Sequence, residues 1–138
     1  MRYLCLGYCD NADVGGMTEG ERTAMFDACF AYDEHLRATG HWAGGEALQS
    51  AEAALTLSWR NGQVATTDGP CAATGEQLGR MLVIAARDMN HALQLMTQHP
   101  ALRYGNVFEI RPAVDLGELM KASEQRRRGP AGAAAGEG

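Results

Sequence analysis

Leu55-Thr56-Leu57-Ser58-Trp59-Arg60-Asn61-Gly62-Gln63-Val64-Ala65-Thr66-Thr67-Asp68-Gly69-Pro70 is the stretch whose reading decides the fold. Leu55, Leu57 and Trp59 alternate with Thr56, Ser58 and Arg60, which is the two-residue period of a half-buried strand. Asn61-Gly62 supplies the positive φ angles of a two-residue hairpin turn, and the return strand runs from Gln63 to Thr67. Asp68-Gly69-Pro70 then ends it, setting one carboxylate on a rigid corner. Such a corner can present a charge to a cleft. Asp68 can equally cap its own turn by an Asx-type hydrogen bond.

Upstream, residues 2–9 alternate Leu4, Leu6 and Tyr8 against Tyr3, Cys5, Gly7 and Cys9, as in a strand, and Asn11 to Gly16 reads as a loop. Thr18-Glu19-Gly20-Glu21 is a capping box opening a helix to about Thr39, with Gly40 as its stop. Met25, Cys29, Tyr32 and Leu36 form its core stripe. Asp33 borders that stripe and His35 falls toward the opposite flank, at about 100° per residue. Gly44-Gly45 marks a corner, and Glu46 to Gln49 a short strand or extended loop.

Downstream, residues 72–79 form a polar connection, and the unbroken apolar run Met81 to Ala85 predicts a central strand buried on both faces. Asp88 caps a second helix that ends before Pro100. A last strand spans Asn106 to Arg111, with Pro112 terminating it. Leu116, Leu119 and Met120 fit an amphipathic helix to about Arg127, and Gly129 to Gly138 lacks the apolar bulk to order. The order β-α, several strands, then β-α-β predicts an α+β sandwich of ferredoxin-like type with both helices on one sheet face. The uncovered face predicts a homodimer packed sheet against sheet. The expected boundaries are a domain over 1–114 and an extension over 115–138.

Composition narrows the function classes. The chain has 138 residues, a formal net charge of −5 and 46% hydrophobic residues, ordinary for one globular domain. Its single basic run, Arg126-Arg127-Arg128, is too little for a nucleic-acid surface. No apolar run reaches membrane-spanning length, and the start reads as a first strand rather than a signal peptide, which predicts a cytoplasmic protein. Cys5 and Cys9 on one strand would be roughly 13 Å apart, beyond the Cα separation of about 7 Å that a disulfide tolerates. With Cys29 and Cys71 they make no metal-ligand spacing, so the expectation is four reduced, mostly buried thiols and no metal site.

Several spaced motifs carry a resemblance: the hairpin with Thr67-Asp68-Gly69-Pro70, Gly44-Gly45-Glu46, Glu76-Gln77-Leu78-Gly79, His99-Pro100 and Glu109-Ile110-Arg111-Pro112-Ala113. Over residues 1–114 the chain resembles the YCII-related family, in the branch named for its D-G-P-F motif. The resemblance implies a dimeric α/β barrel with a histidine and an aspartate in a cleft. One relative in the wider family acts as a dehydrochlorinase on chlorinated hydroxyquinols, and branch members are often encoded beside extracytoplasmic-function sigma factors.

Carried onto this sequence, the resemblance selects His35 and Asp68 as the candidate catalytic pair, the histidine as base and the aspartate fixing its tautomer. Gly69, Pro70, Glu46 and Arg111 are the candidate ligand-binding residues, with Arg111 and Glu109 alternatively forming an ion pair on one strand face. The chemistry expected is proton abstraction or elimination on a small polar or aromatic compound, with no cofactor required. A non-catalytic accessory role beside a sigma factor is the alternative. Cys71 stands where the branch has Phe, Ala73 where an acidic residue is common and Gly75 where a Lys is common.

Overall fold

The computed structural model describes residues 1–10, 16–72 and 75–129. The expected loop at 11–15, Ala73 and the Gly/Ala-rich segment from 130 onward lie outside them. The described elements are β1 (Arg2–Cys9), α1 (Glu19–Ala38), β2 (Trp42–Ala47), β3 (Leu55–Arg60), β4 (Gln63–Asp68), β5 (Gln77–Ala85), α2 (Met89–Met96), β6 (Val107–Pro112) and α3 (Leu116–Arg128). Short 3₁₀ turns cover Ala51–Ala53 and Pro100–Tyr104.

Four strands form one antiparallel sheet in the order β2-β5-β1-β6, and β3-β4 stand apart as a two-stranded hairpin. Setting the hairpin aside leaves β-α-β-β-α-β, the ferredoxin-like α+β sandwich expected from the sequence. Asn61 (φ 52°) and Gly62 (φ 77°) make the predicted turn.

Alternation sorts the sheet's two faces. Tyr3 and Cys5 of β1 and Leu82 and Ile84 of β5 point to the helices, where Leu36, Ala86, Ala92 and Met96 complete the core. Phe108 and Ile110 of β6 pack beside them. On the other face Leu4, Leu6, Met81 and Val83 are only half-buried and Val107 is exposed. The run Met81–Ala85 is therefore buried on its helix side alone, a correction to the expectation of burial on both faces.

Two other readings change. The strand containing that run begins at Gln77, inside what reads as polar connection. Gly44 and Gly45 lie within β2 instead of forming a corner. A Cβ on Gly45 would meet the Trp42 indole at 2.8 Å, so the glycine lets that ring lie flat across its own strand. Among the described residues no disulfide forms; Cys5 and Cys29 are buried, Cys9 is half-buried and Cys71 is exposed. Burial pushes the Cys5 thiol up to about 12, which suits a packing role.

The capping box forms as predicted. The Glu21 amide donates to Thr18 Oγ1 at 3.1 Å and the Thr18 amide donates to Glu21 Oε1 at 3.1 Å. Thr18→Ala should lower unfolding free energy by about 1 kcal/mol, measured by chemical denaturation, with the folded-state circular dichroism unchanged.

Candidate functional site

The first helix sets one wall of the site. Met25, Cys29 and Leu36 are buried along its inner stripe, and Asp33 sits at the stripe's edge with a side chain 13% exposed. Asp33 therefore faces the lateral opening between α1 and the β2–β5 side of the sheet. That opening is a cavity of about 360 Å³ lined by Phe30, Asp33, Arg37, Trp42, Glu46 and Arg80, among others.

Behind Asp33 lies His99, at the start of the 3₁₀ turn that Pro100 opens. Its side chain is fully buried, between Tyr32 (ring centroids 5.3 Å apart, edge-on) and Phe108 (5.2 Å). Its two ring nitrogens have separate partners. Nδ1 accepts the Ala101 backbone amide at 3.1 Å, and Nε2 lies 3.2 Å from Asp33 Oδ1. A backbone N–H can only donate, so Nδ1 must be the bare nitrogen and the proton sits on Nε2. His99 thus donates to Asp33 as a neutral imidazole, and the peptide chain fixes that tautomer.

This assigns the roles. Both His99 nitrogens are occupied and the ring is sealed from solvent, so it has no lone pair to offer a ligand. Asp33, by contrast, lines the cavity. A carboxylate at a cavity wall is chemically a proton acceptor, and His99 holds one of its oxygens.

Arg80 reaches the same cavity from β5 by way of a glycine. Gly7 on β1 pairs with Arg80, and a Cβ there would meet Arg80 Cγ at 2.6 Å and Phe108 Cε1 at 2.9 Å. Only a bare backbone lets the arginine stem cross β1 on the helix side. Burial pushes the Cys29 thiol above its ordinary range, against the opposing pull of the Arg80 charge. Arg37 stacks its guanidinium over Trp42 at 5.1 Å on the cavity wall.

The sequence-predicted residues are mostly elsewhere. His35 is exposed and two positions from Asp33, about 200° around the helix, with its ring tilted against Tyr32. Asp68 is exposed at the end of β4, opposite Leu55 in the separate hairpin. No hydrogen bond or ion pair joins His35 to Asp68. Nor does Asp68 form the Asx-type bond considered for it among the described residues.

The Gly69 amide donates to Ala54 O at 2.8 Å and Thr56 Oγ1 donates to Gly69 O at 2.8 Å, which ties the Asp-Gly-Pro corner to the base of the hairpin. Pro70 lines a different hollow, with Leu48, Ala54 and Leu78. Arg111 pairs with Glu109 at 3.7 Å, both exposed on the open sheet face. Of the predicted set, Glu46 alone lines the cavity that holds Asp33.

Fold and site together define a ferredoxin-like α+β protein with a small charged cavity beside its first helix and a buried histidine–carboxylate pair at its wall. The chain belongs to the YCII-related domain family, whose sequence model matches residues 1–116. Among solved structures it is similar to a 5-chloro-2-hydroxyhydroquinone dehydrochlorinase from Burkholderia phenoliruptrix, determined in complex with 2,5-dihydroxybenzoquinone. The two share 16% identity with a TM-score of 0.50, over 83% of this chain and 94% of the other. At that identity the likeness is one of fold. No curated protein matches the chain. Among the described residues, no helix is long and apolar enough to cross a membrane, and no group of three or more His, Cys, Asp or Glu side chains is placed to hold a metal ion.

Proposed function

We propose that the protein is a small-molecule enzyme that works by proton abstraction, with the Asp33 carboxylate as general base and His99 as the residue that positions it. The observation that carries this reading is the His99–Asp33 bond: a buried, tautomer-fixed imidazole holds one oxygen of a carboxylate that lines a cavity. A ligand C–H or O–H at hydrogen-bond distance from that carboxylate would lose its proton to it, and the remaining charge would need a nearby cation. The family's fold neighbour, a dehydrochlorinase, accords with a reaction of this kind.

A thermal-shift screen of small polar and aromatic compounds tests the cavity. Ligands of the site raise the melting temperature by mass action, and the shift disappears in Ala47→Trp, which fills the cavity from the exposed edge strand. Shifts that persist in that variant, or none from any compound, contradict the reading and favour an accessory role.

A homodimer completes the proposal. Leu4, Leu6, Val83 and Val107 leave an apolar sheet face without a cover, and the hairpin exposes Leu57 and Trp59 (71%) as well. Light scattering after gel filtration should give twice the chain mass, and Val83→Glu should shift it to the monomer. A wild-type monomer at micromolar concentration contradicts the dimer.

A further inference from the structure

We infer that Arg80 is the anion-docking residue of this cavity and that the ligand is a small organic monoanion, a carboxylate or a phenolate, seated between Arg80 and Asp33. The inference rests on the reading of the cavity as the functional site and adds the class of compound it takes.

Three observations carry it. First, Arg80 is half-buried and lines the cavity, yet among the described residues no carboxylate lies within ion-pair distance of it. An arginine withdrawn from water without a counter-charge is costly, and an anionic ligand removes that cost. Second, the wall groups near it do not pair with it. Asp33 is hydrogen-bonded by His99 and makes no ion pair with Arg80 among the described residues. Burial raises the Cys29 thiol and so disfavours its charged form. Third, the fold makes room for this arginine: Gly7 is bare where any Cβ would collide with the Arg80 stem, so the side chain lies over β1 on the helix face of the sheet, beneath α1.

Glu34 and Glu46 also border the opening. Both are exposed, so water and salt screen them, whereas Arg80 stands deeper, against buried Leu82 and Cys29. Its planar fork suits a two-oxygen carboxylate or an oxygen that gains charge as a proton leaves for Asp33. Trp42 and Phe30 give the rest of such a ligand an apolar wall.

The test is titration calorimetry with benzoate, benzyl alcohol and benzylamine as anionic, neutral and cationic probes of one shape. Wild type should bind benzoate about tenfold or more tightly than either other probe. Arg80→Met should lose that preference, and Arg80→Lys, which keeps the charge without the fork, should weaken benzoate binding several-fold. The two variants guard against misfolding of one, and melting curves report on each. Asp33→Asn should still bind benzoate, so loss of chemistry there and loss of docking at Arg80 separate the two claims. Benzoate binding unchanged in the folded Arg80 variants, or a wild type that does not prefer benzoate, overturns the inference.

Discussion

Asp33→Asn should retain the fold and lose at least about a hundredfold in proton-transfer rate, the usual size of a general base's contribution. The assay needs no prior substrate: compounds that raise the melting temperature are incubated in D2O, and loss of carbon-bound protons is followed by NMR. Asparagine has nearly the same shape as aspartate. Its amide oxygen can still accept from His99 Nε2, so the packing around the 3.2 Å contact survives. Only the ability to receive a proton is removed. Exchange at the wild-type rate in this variant would remove Asp33 from the chemistry.

His99→Ala should have the largest effect on stability, a loss of about 3–5 kcal/mol, read from denaturant unfolding. Two costs combine. The ring is fully buried between Tyr32 and Phe108, so its deletion opens a cavity in a region that cannot readily collapse. It also leaves the Ala101 amide and Asp33 Oδ1 without the partners they have now. His99→Gln should recover part of the loss by donating again to Asp33. Its activity should stay low, because a flexible amide does not hold the carboxylate as a fixed ring does. A near-neutral His99→Ala would mean that the pair is not the structural support of the cavity wall.

Elements with local signatures were legible. Thr18 and Glu21 announce the first helix, Asn61-Gly62 announces the hairpin, and Asp88 caps the second helix through the His91 amide at 2.8 Å. Each signal involves residues a few positions apart, where backbone geometry alone sets the distance. The candidate pair had no such signal. Asp33 and His99 are 66 residues apart, one on a helix edge and one on a 3₁₀ turn, and only the packing of α1 against that turn joins them. Asp33 was visible as a charge bordering an apolar stripe, and His99-Pro100 as a motif, without anything to link them. His35 and Asp68 drew attention through residue type instead, yet one faces away from the cavity side of α1 and the other ends a separate hairpin.

Arg80 was hidden for a related reason. Gly79-Arg80 interrupts the apolar pattern just before Met81, so the strand reads as starting late. The pairing Gly7–Arg80 gives that arginine its place, and pairing across strands is not written in either segment alone. Glycines at 44 and 45 misled in the opposite direction. They weaken a strand by propensity, but here Gly45 makes room for the overlying Trp42 ring and Gly44 takes a φ of 151°.

The central claim is that His99 is a neutral, Nε2-protonated holder of Asp33 and that the carboxylate is the reacting group. Long-range proton–nitrogen correlation NMR on uniformly 15N-labelled protein at pH 7.5 tests it most directly. The predicted spectrum shows Nδ1 of His99 in the range of an unprotonated, hydrogen-bond-accepting nitrogen and Nε2 as a protonated one, with the Nε2 proton shifted in Asp33→Asn. A proton on Nδ1, or a His99 signal indifferent to Asp33→Asn, would contradict the account.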